Sequence, residues 1–123
     1  MLKLPEALDV ERALIGQIVA WGHPAMRDAL RSGVTENSFD SDVLGVVFRQ
    51  ALYLFDRDKS VDLVTVGWST APELADELGG KSALIELLIE SMEFADEYGE
   101  DTATCARRVV AEATARTLGG APC

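Results

Sequence analysis

The sequence predicts an all-α fold, a compact bundle of about six or seven short helices. Three observations carry that expectation. Apolar residues recur at i, i+3, i+4 spacing along nearly the whole chain. Gly, Pro, Ser and Asp stand at the breaks between the periodic segments, where helix caps and stops need them. The β-branched runs share the helical spacing, and no hairpin turn joins any two of them. With 123 residues and 48% apolar content, the chain has material for one domain with a single core.

In the first segment Leu8, Leu14, Ile15, Ile18 and Val19 share a face, and Trp21–Gly22 ends it. Pro5 or Asp9 marks its start, with Glu6 and Glu11 suited to an N-terminal turn. A short helix follows, with Pro24 in its first turn, Met26, Ala29 and Leu30 on one face, and Gly33 as its stop. The third segment is the clearest. Val43, Leu44, Val47, Phe48, Ala51, Leu52 and Phe55 form an unbroken stripe behind Ser41 or Asp42 as N-cap. This helix is expected to be the most buried, with Phe48 at its centre.

Residues 61–80, VDLVTVGWSTAPELADELGG, look structural. Asp62 caps a helix, Val64 fills the core, and Val64, Thr65 and Trp68 lie a turn apart. Proline lacks the amide hydrogen that an inner helical position needs, so a break is expected near Ser69–Ala71, with Pro72 opening a new helix. That helix closes at Gly79–Gly80, where glycine admits a left-handed residue. SALIELLIESMEF then sets Leu84, Leu87, Leu88 and Met92 on one side. The last helix starts near Asp101 or Thr102 and runs through Leu118, its alanines permitting close helix contact, and Gly119–Gly120 ends it. The expected division is therefore a helical domain over 1–118 and a flexible tail over 119–123.

Composition narrows the function classes. No apolar run approaches the roughly 18 residues of a membrane span. The N-terminus lacks a signal peptide's continuous apolar segment and cleavage site, so a cytoplasmic protein is expected. Cys105 reads as a small buried apolar residue and Cys123 as an exposed tail thiol, and neither is assigned a role. There is no GxxxxGK[ST] loop and no GxGxxG. The single histidine, His23, stands before Pro24 and has no partners in the sequence for a metal site or a triad. Neither a catalytic residue nor a cofactor site is predicted, and the enzyme class is set aside.

The net charge is −10, and seven of the acids fall in ELLIESMEFADEYGED, residues 86–101, which hold no Lys or Arg. Nucleic-acid affinity comes largely from cations that displace counterions, so direct DNA binding is not expected. The stretch has two readings. One is a solvated face and loop; the other is a docking surface for a basic partner, with Glu93, Asp96 and Glu97 supplying charge and Phe94 and Tyr98 supplying apolar anchors.

Several pieces follow one another in a recognisable order: PEALDVERALIGQIV, VTENSF, VFRQALYLFDRDKSVDLVTV, ELGGKSALIELL and CARRVVAEATARTL. The chain resembles the N-terminal domain of the DnaB family of replicative hexameric DNA helicases over about residues 4–118. Glu11–Gly16 matches that family's leading Glu-x-x-(Ile/Val)-Leu-Gly helix, and Phe39 and Phe48 match its aromatics before and within the central helix. Asp62–Thr65 matches its Asp-x-Val-Thr stretch, Gly79–Gly80 its glycine pair, Ala83–Leu84 its tyrosine–leucine site, and Val110–Leu118 its closing pattern. Two departures stand out. Leu44 lies near the place of a family histidine, and DEYGEDTATCA makes the loop before the last helix acidic and longer than usual.

The resemblance implies a non-catalytic interaction domain that works in DNA replication through helicase protomers, primase or a helicase loader. The family's ATP, magnesium and single-stranded DNA sites lie in a motor domain that this sequence lacks, so none carries over. Half of the family's helical hairpin is also missing, and a monomer or weak dimer is expected. A second reading is a free-standing helical protein that mimics the helicase collar and modulates its partners. The full open reading frame separates the two.

Overall fold

Every residue from Ala13 to Val19 is buried, about two turns of helix with no solvent face. They belong to α1 (Pro5–Trp21), the axis of the fold in a computed structural model that describes residues 5–78 and 80–120. Around it stand α2 (His23–Arg31), α3 (Asp42–Asp56), α4 (Leu63–Leu78), α5 (Lys81–Tyr98) and α6 (Thr102–Gly120), with a 3₁₀ turn at Glu36–Ser38. No strand occurs among the described residues, and the fold is the expected helical bundle.

The most buried helix is therefore α1, a correction to the expectation for α3. Ala13, Gly16 and Gln17 interrupt α1's large apolar residues, so the sequence shows an ordinary amphipathic stripe. Those smaller or amide-bearing positions face neighbours as well. At Gly16 the approach of α5 is close enough that a Cβ would stand 2.0 Å from the Ser91 carbonyl oxygen. α3 packs on the outside, against α1, α4, α2 and the 3₁₀ turn, so that Leu44, Val47, Phe48, Ala51 and Leu54 are buried while Tyr53 is exposed. Phe48 is fully buried and stacks on Phe39 at 5.3 Å between ring centroids.

The chain turns after α1 at Gly22, whose φ of +74° suits glycine, and Pro24 then sits in the first turn of α2. His23 opens that helix. Its Nε2 lies 2.7 Å from the Lys59 carbonyl, and its ring meets Phe55 at 4.8 Å. α3 begins where the Ser41 hydroxyl accepts from the Leu44 amide at 3.2 Å. α4 begins with a reciprocal pair: the Thr65 amide donates to Asp62 Oδ1 at 2.9 Å, and the Asp62 amide donates to Thr65 Oγ1 at 3.1 Å.

Two expectations about α4 are corrected. The helix does not break before Pro72 but runs unbroken from Leu63 to Leu78. Pro72 lies on the exposed side, while Val66, Thr70, Ala71 and Leu74 hold the other side in the core. One lost backbone bond on the wet face is offset by packing on the dry one. Val64 does not fill the core: it is 58% exposed, and Val66 takes the buried position. The core-facing stripe contains the small residues Gly67, Thr70 and Ala71, which let α5 approach. Ile85 Cδ1 would stand 2.5 Å from a Cβ at Gly67.

Gly79 lies outside the described residues, as does Cys123. Gly80, with a φ of +128°, precedes α5. That helix continues through Tyr98 and ends at Gly99, in the left-handed conformation. The connection to α6 is thus Gly99–Asp101, and the expected longer acidic loop is corrected: Asp96 and Glu97 belong to the helix, which keeps its pitch up to the glycine. Asp101 Oδ1 accepts from the Thr104 amide at 2.7 Å to start α6, which extends through Gly119 and Gly120.

One buried charge ties three elements together. Glu11 on α1 is 1% exposed, and its carboxylate accepts from the amides of Asp40 at 2.8 Å and Ser41 at 3.1 Å. Arg116, near the far end of α6, reaches the same place. Its Nη2 donates to the Ser38 carbonyl at 2.9 Å, and Nη1 stands 3.8 Å from Glu11 Oε2. Burial raises the Glu11 pKa, against the two amides and Arg116, which pull it down.

Candidate functional site

The five candidate residues all sit on the last turns of α5, and the helix distributes them over different faces. Glu93, Asp96 and Glu97 are exposed. Phe94 and Tyr98, one turn apart, are half-buried and lean together at 5.7 Å between ring centroids. Each ring is covered by an arginine from another helix. Arg12 of α1 lies 5.2 Å from the Phe94 centroid, and Arg108 of α6 lies 5.7 Å from that of Tyr98. Arg108 Nη1 also donates to Glu100 Oε1 at 2.9 Å. Burial raises the Tyr98 pKa, with the Arg108 charge acting against it. The stretch that reads as uncompensated acid thus has two cations folded over its aromatic side, both from other helices and Arg12 from far away in sequence.

Asp96 faces the other way, into a groove of about 700 Å³. The end of α1 gives it Gln17, Ala20 and Trp21; the start of α2 gives Pro24, Ala25 and Asp28. α5 adds Met92, Ala95 and Asp96, and the connection to α6 closes the far side with Gly99, Glu100 and Asp101. Trp21 is 70% exposed. Gln17, 6% exposed, donates from Nε2 to the Glu100 carbonyl at 2.5 Å, while its Oε1 is buried without a hydrogen-bond partner among the described residues. The sequence reading missed this groove. Trp21 was visible only as the residue before a helix-ending glycine.

The site offers binding chemistry. Cys105, in the first turn of α6, is buried, with its thiol pushed up to about 11, chiefly by that burial. Among the described residues no group of three or more His, Cys, Asp or Glu side chains is placed to hold a metal ion.

A family model described as the DnaB-like helicase N terminal domain matches residues 3–99. The chain belongs to that family. The part of DnaB that is matched is the N-terminal domain and not the motor domain. Among solved structures, the crystal structure of the N-terminal domain of DnaB helicase from Mycobacterium tuberculosis superposes with a TM-score of 0.75 at 23% identity, covering 94% of this chain and 79% of that one. At that identity the likeness establishes the fold. A comparison with curated protein sequences gave no match. The family model ends at Gly99, so α6 lies beyond it, but the structural superposition takes in nearly the whole of this chain.

Proposed function

We propose that this DnaB-type N-terminal domain is a non-catalytic interaction module of a replicative DNA helicase, acting in DNA replication through contacts with helicase subunits, primase or a helicase loader. The observation that carries the reading is the family match over residues 3–99, which falls on the N-terminal part of the helicase. The surface chemistry supports it. A net charge of −10 opposes phosphate backbones and favours basic protein surfaces, and an exposed tryptophan beside a groove suits a protein contact. The module works in the cytoplasm; among the described residues no helix is long and apolar enough to cross a membrane.

The chain alone is a monomer or weak dimer that neither hydrolyses nucleotide nor binds single-stranded DNA. Binding of the purified helicase, primase and loader from the same cell to the immobilised chain tests the reading. Saturable binding of at least one is expected, and no binding of any at tens of micromolar refutes it. Sedimentation at similar concentration tests the assembly state, and a stable six-subunit species would overturn it. Saturable binding to single-stranded DNA near physiological salt would show that the surface charge does not govern as argued.

A further inference from the structure

We infer that the groove between the ends of α1 and α5 docks a basic amphipathic helix of a partner protein, with Trp21 and Met92 as its apolar contacts and Asp28 and Asp96 as its charged rim. This rests on the interaction reading above and assigns it a place and a ligand chemistry. The groove's volume of about 700 Å³ suits several side chains inserted together. Trp21 stands 70% exposed at its mouth, the residue type most often found as an interface anchor. Met92, half-buried in the wall, is unbranched and adapts to an inserted side chain.

The polar groups point to a cation. Asp28, Asp96, Glu100 and Asp101 line the groove, and among the described residues no Lys or Arg does. Glu100 is held by Arg108, and Asp101 caps α6. Asp28 has Arg31 at 3.8 Å in an exposed pair of little strength, and Asp96 has no ion pair among the described residues. A second, independent feature agrees. Gln17, which lines the groove, has a buried Oε1 with no hydrogen-bond partner among the described residues, and a lysine or arginine inserted there supplies a donor. A second copy of this chain is the poorer occupant, because a surface of net charge −10 meets an acidic rim unfavourably. The aromatic pair Phe94–Tyr98 is already covered by Arg12 and Arg108, so the partner's cations go to the groove instead.

The test uses Trp21 as its own reporter. Trp68→Phe leaves it as the sole tryptophan of the two in the chain. A synthetic peptide of Leu-Lys-Lys-Leu-Leu-Lys-Leu repeats is titrated in, beside a counterpart with Glu at each Lys. The lysine peptide is expected to shift Trp21 emission to the blue, saturably and more weakly at high salt, while the glutamate peptide gives no shift. Asp28→Lys with Asp96→Lys should weaken binding by roughly tenfold or more, as should Trp21→Ala read by calorimetry. Glu86→Lys with Glu90→Lys makes the same charge change on α5 away from the groove and should weaken it far less. Equal weakening by the two charge pairs, or no saturable shift, overturns the inference. So does a concentration-dependent dimer abolished by Trp21→Ala, which would make the occupant a second copy. If a purified replication partner binds the Asp28→Lys, Asp96→Lys variant unchanged, the interaction reading survives and the groove does not. If the peptide behaves as expected but no replication partner binds, the groove stands and the proposed function falls.

Discussion

An alanine at position 16 sets a methyl group 2.0 Å from the Ser91 carbonyl oxygen and 2.5 Å from its carbon, both backbone atoms of α5. An ordinary carbon–oxygen contact is about 3.3 Å, so the α1–α5 seam has to open by roughly 1 Å. A gap of that size forfeits roughly a quarter to a half of each dispersion contact along the seam. Overpacking costs about 1–3 kcal/mol in general, and here no flexible side chain can swing away, so the upper end applies. Alanine's better helix propensity returns about 1 kcal/mol. The net expectation for Gly16→Ala is a loss of about 2 kcal/mol or more from a total in the range of roughly 5–15 kcal/mol. In thermal unfolding followed by circular dichroism, that is a fall in Tm of about 5–10 °C. Gly67→Ala is the matched control, because its clash at 2.5 Å is with Ile85 Cδ1, the tip of a side chain that can change rotamer. It should stay within about 1 kcal/mol of the parent. If Gly16→Ala melts no lower than Gly67→Ala, the close packing of α1 on α5 is not what fixes this bundle.

Phe48→Ala removes a fully buried aromatic and should cost about 3–5 kcal/mol in urea unfolding; a loss below about 1 kcal/mol would mean that α3 contributes little to the core. Glu11 has a folded-state pKa raised mainly by burial, so its contribution to stability is full below the unfolded pKa and is lost as pH rises through the folded one. The stability of the parent relative to Glu11→Gln should therefore grow on acidification through the range just above the usual glutamate value, and an opposite slope would mean that Arg116 and the two amides outweigh desolvation. In a Cys123→Ser background, Cys105 should resist a thiol reagent at mildly alkaline pH until the protein is unfolded, because the thiol is buried and its pKa stands near 11.

Local signals in the sequence were legible where one residue decides one structural fact. Ser41 and Asp62 cap their helices, Gly22 ends α1 with a positive φ, and Phe48 is buried, all from chemistry within a few positions. Facts that need a second helix were not. α4 carries two stripes, and the larger residues Val64 and Trp68 look more core-like than Gly67, Thr70 and Ala71. Only the approach of α5 makes the small ones the buried set. Pro72 is tolerated because the opposite face is packed, which no local rule contains. The candidate site divides in the same way. The acids of α5 are plain in the sequence, but Arg12 and Arg108 reach their aromatics from other helices, and the groove exists only where the ends of α1, α2 and α5 meet the start of α6.

The Arg116 contact has a consequence for how α6 bears load. Nineteen residues at about 1.5 Å each make a rod near 28 Å long. Its first half is rooted in the bundle by Cys105, Ala106 and Val109, all buried, whereas Ala111, Thr114, Ala115 and Thr117 face water. Arg116 is a brace near the far end, joined to the Ser38 carbonyl and standing by Glu11 and Asp40. A tug on the last turn of α6 is therefore delivered across the bundle to the segment just before α3 as well as down the rod to its root. Cutting the brace turns the rod into a cantilever. Amide exchange would then quicken along its outer turns while the rooted turns keep their protection.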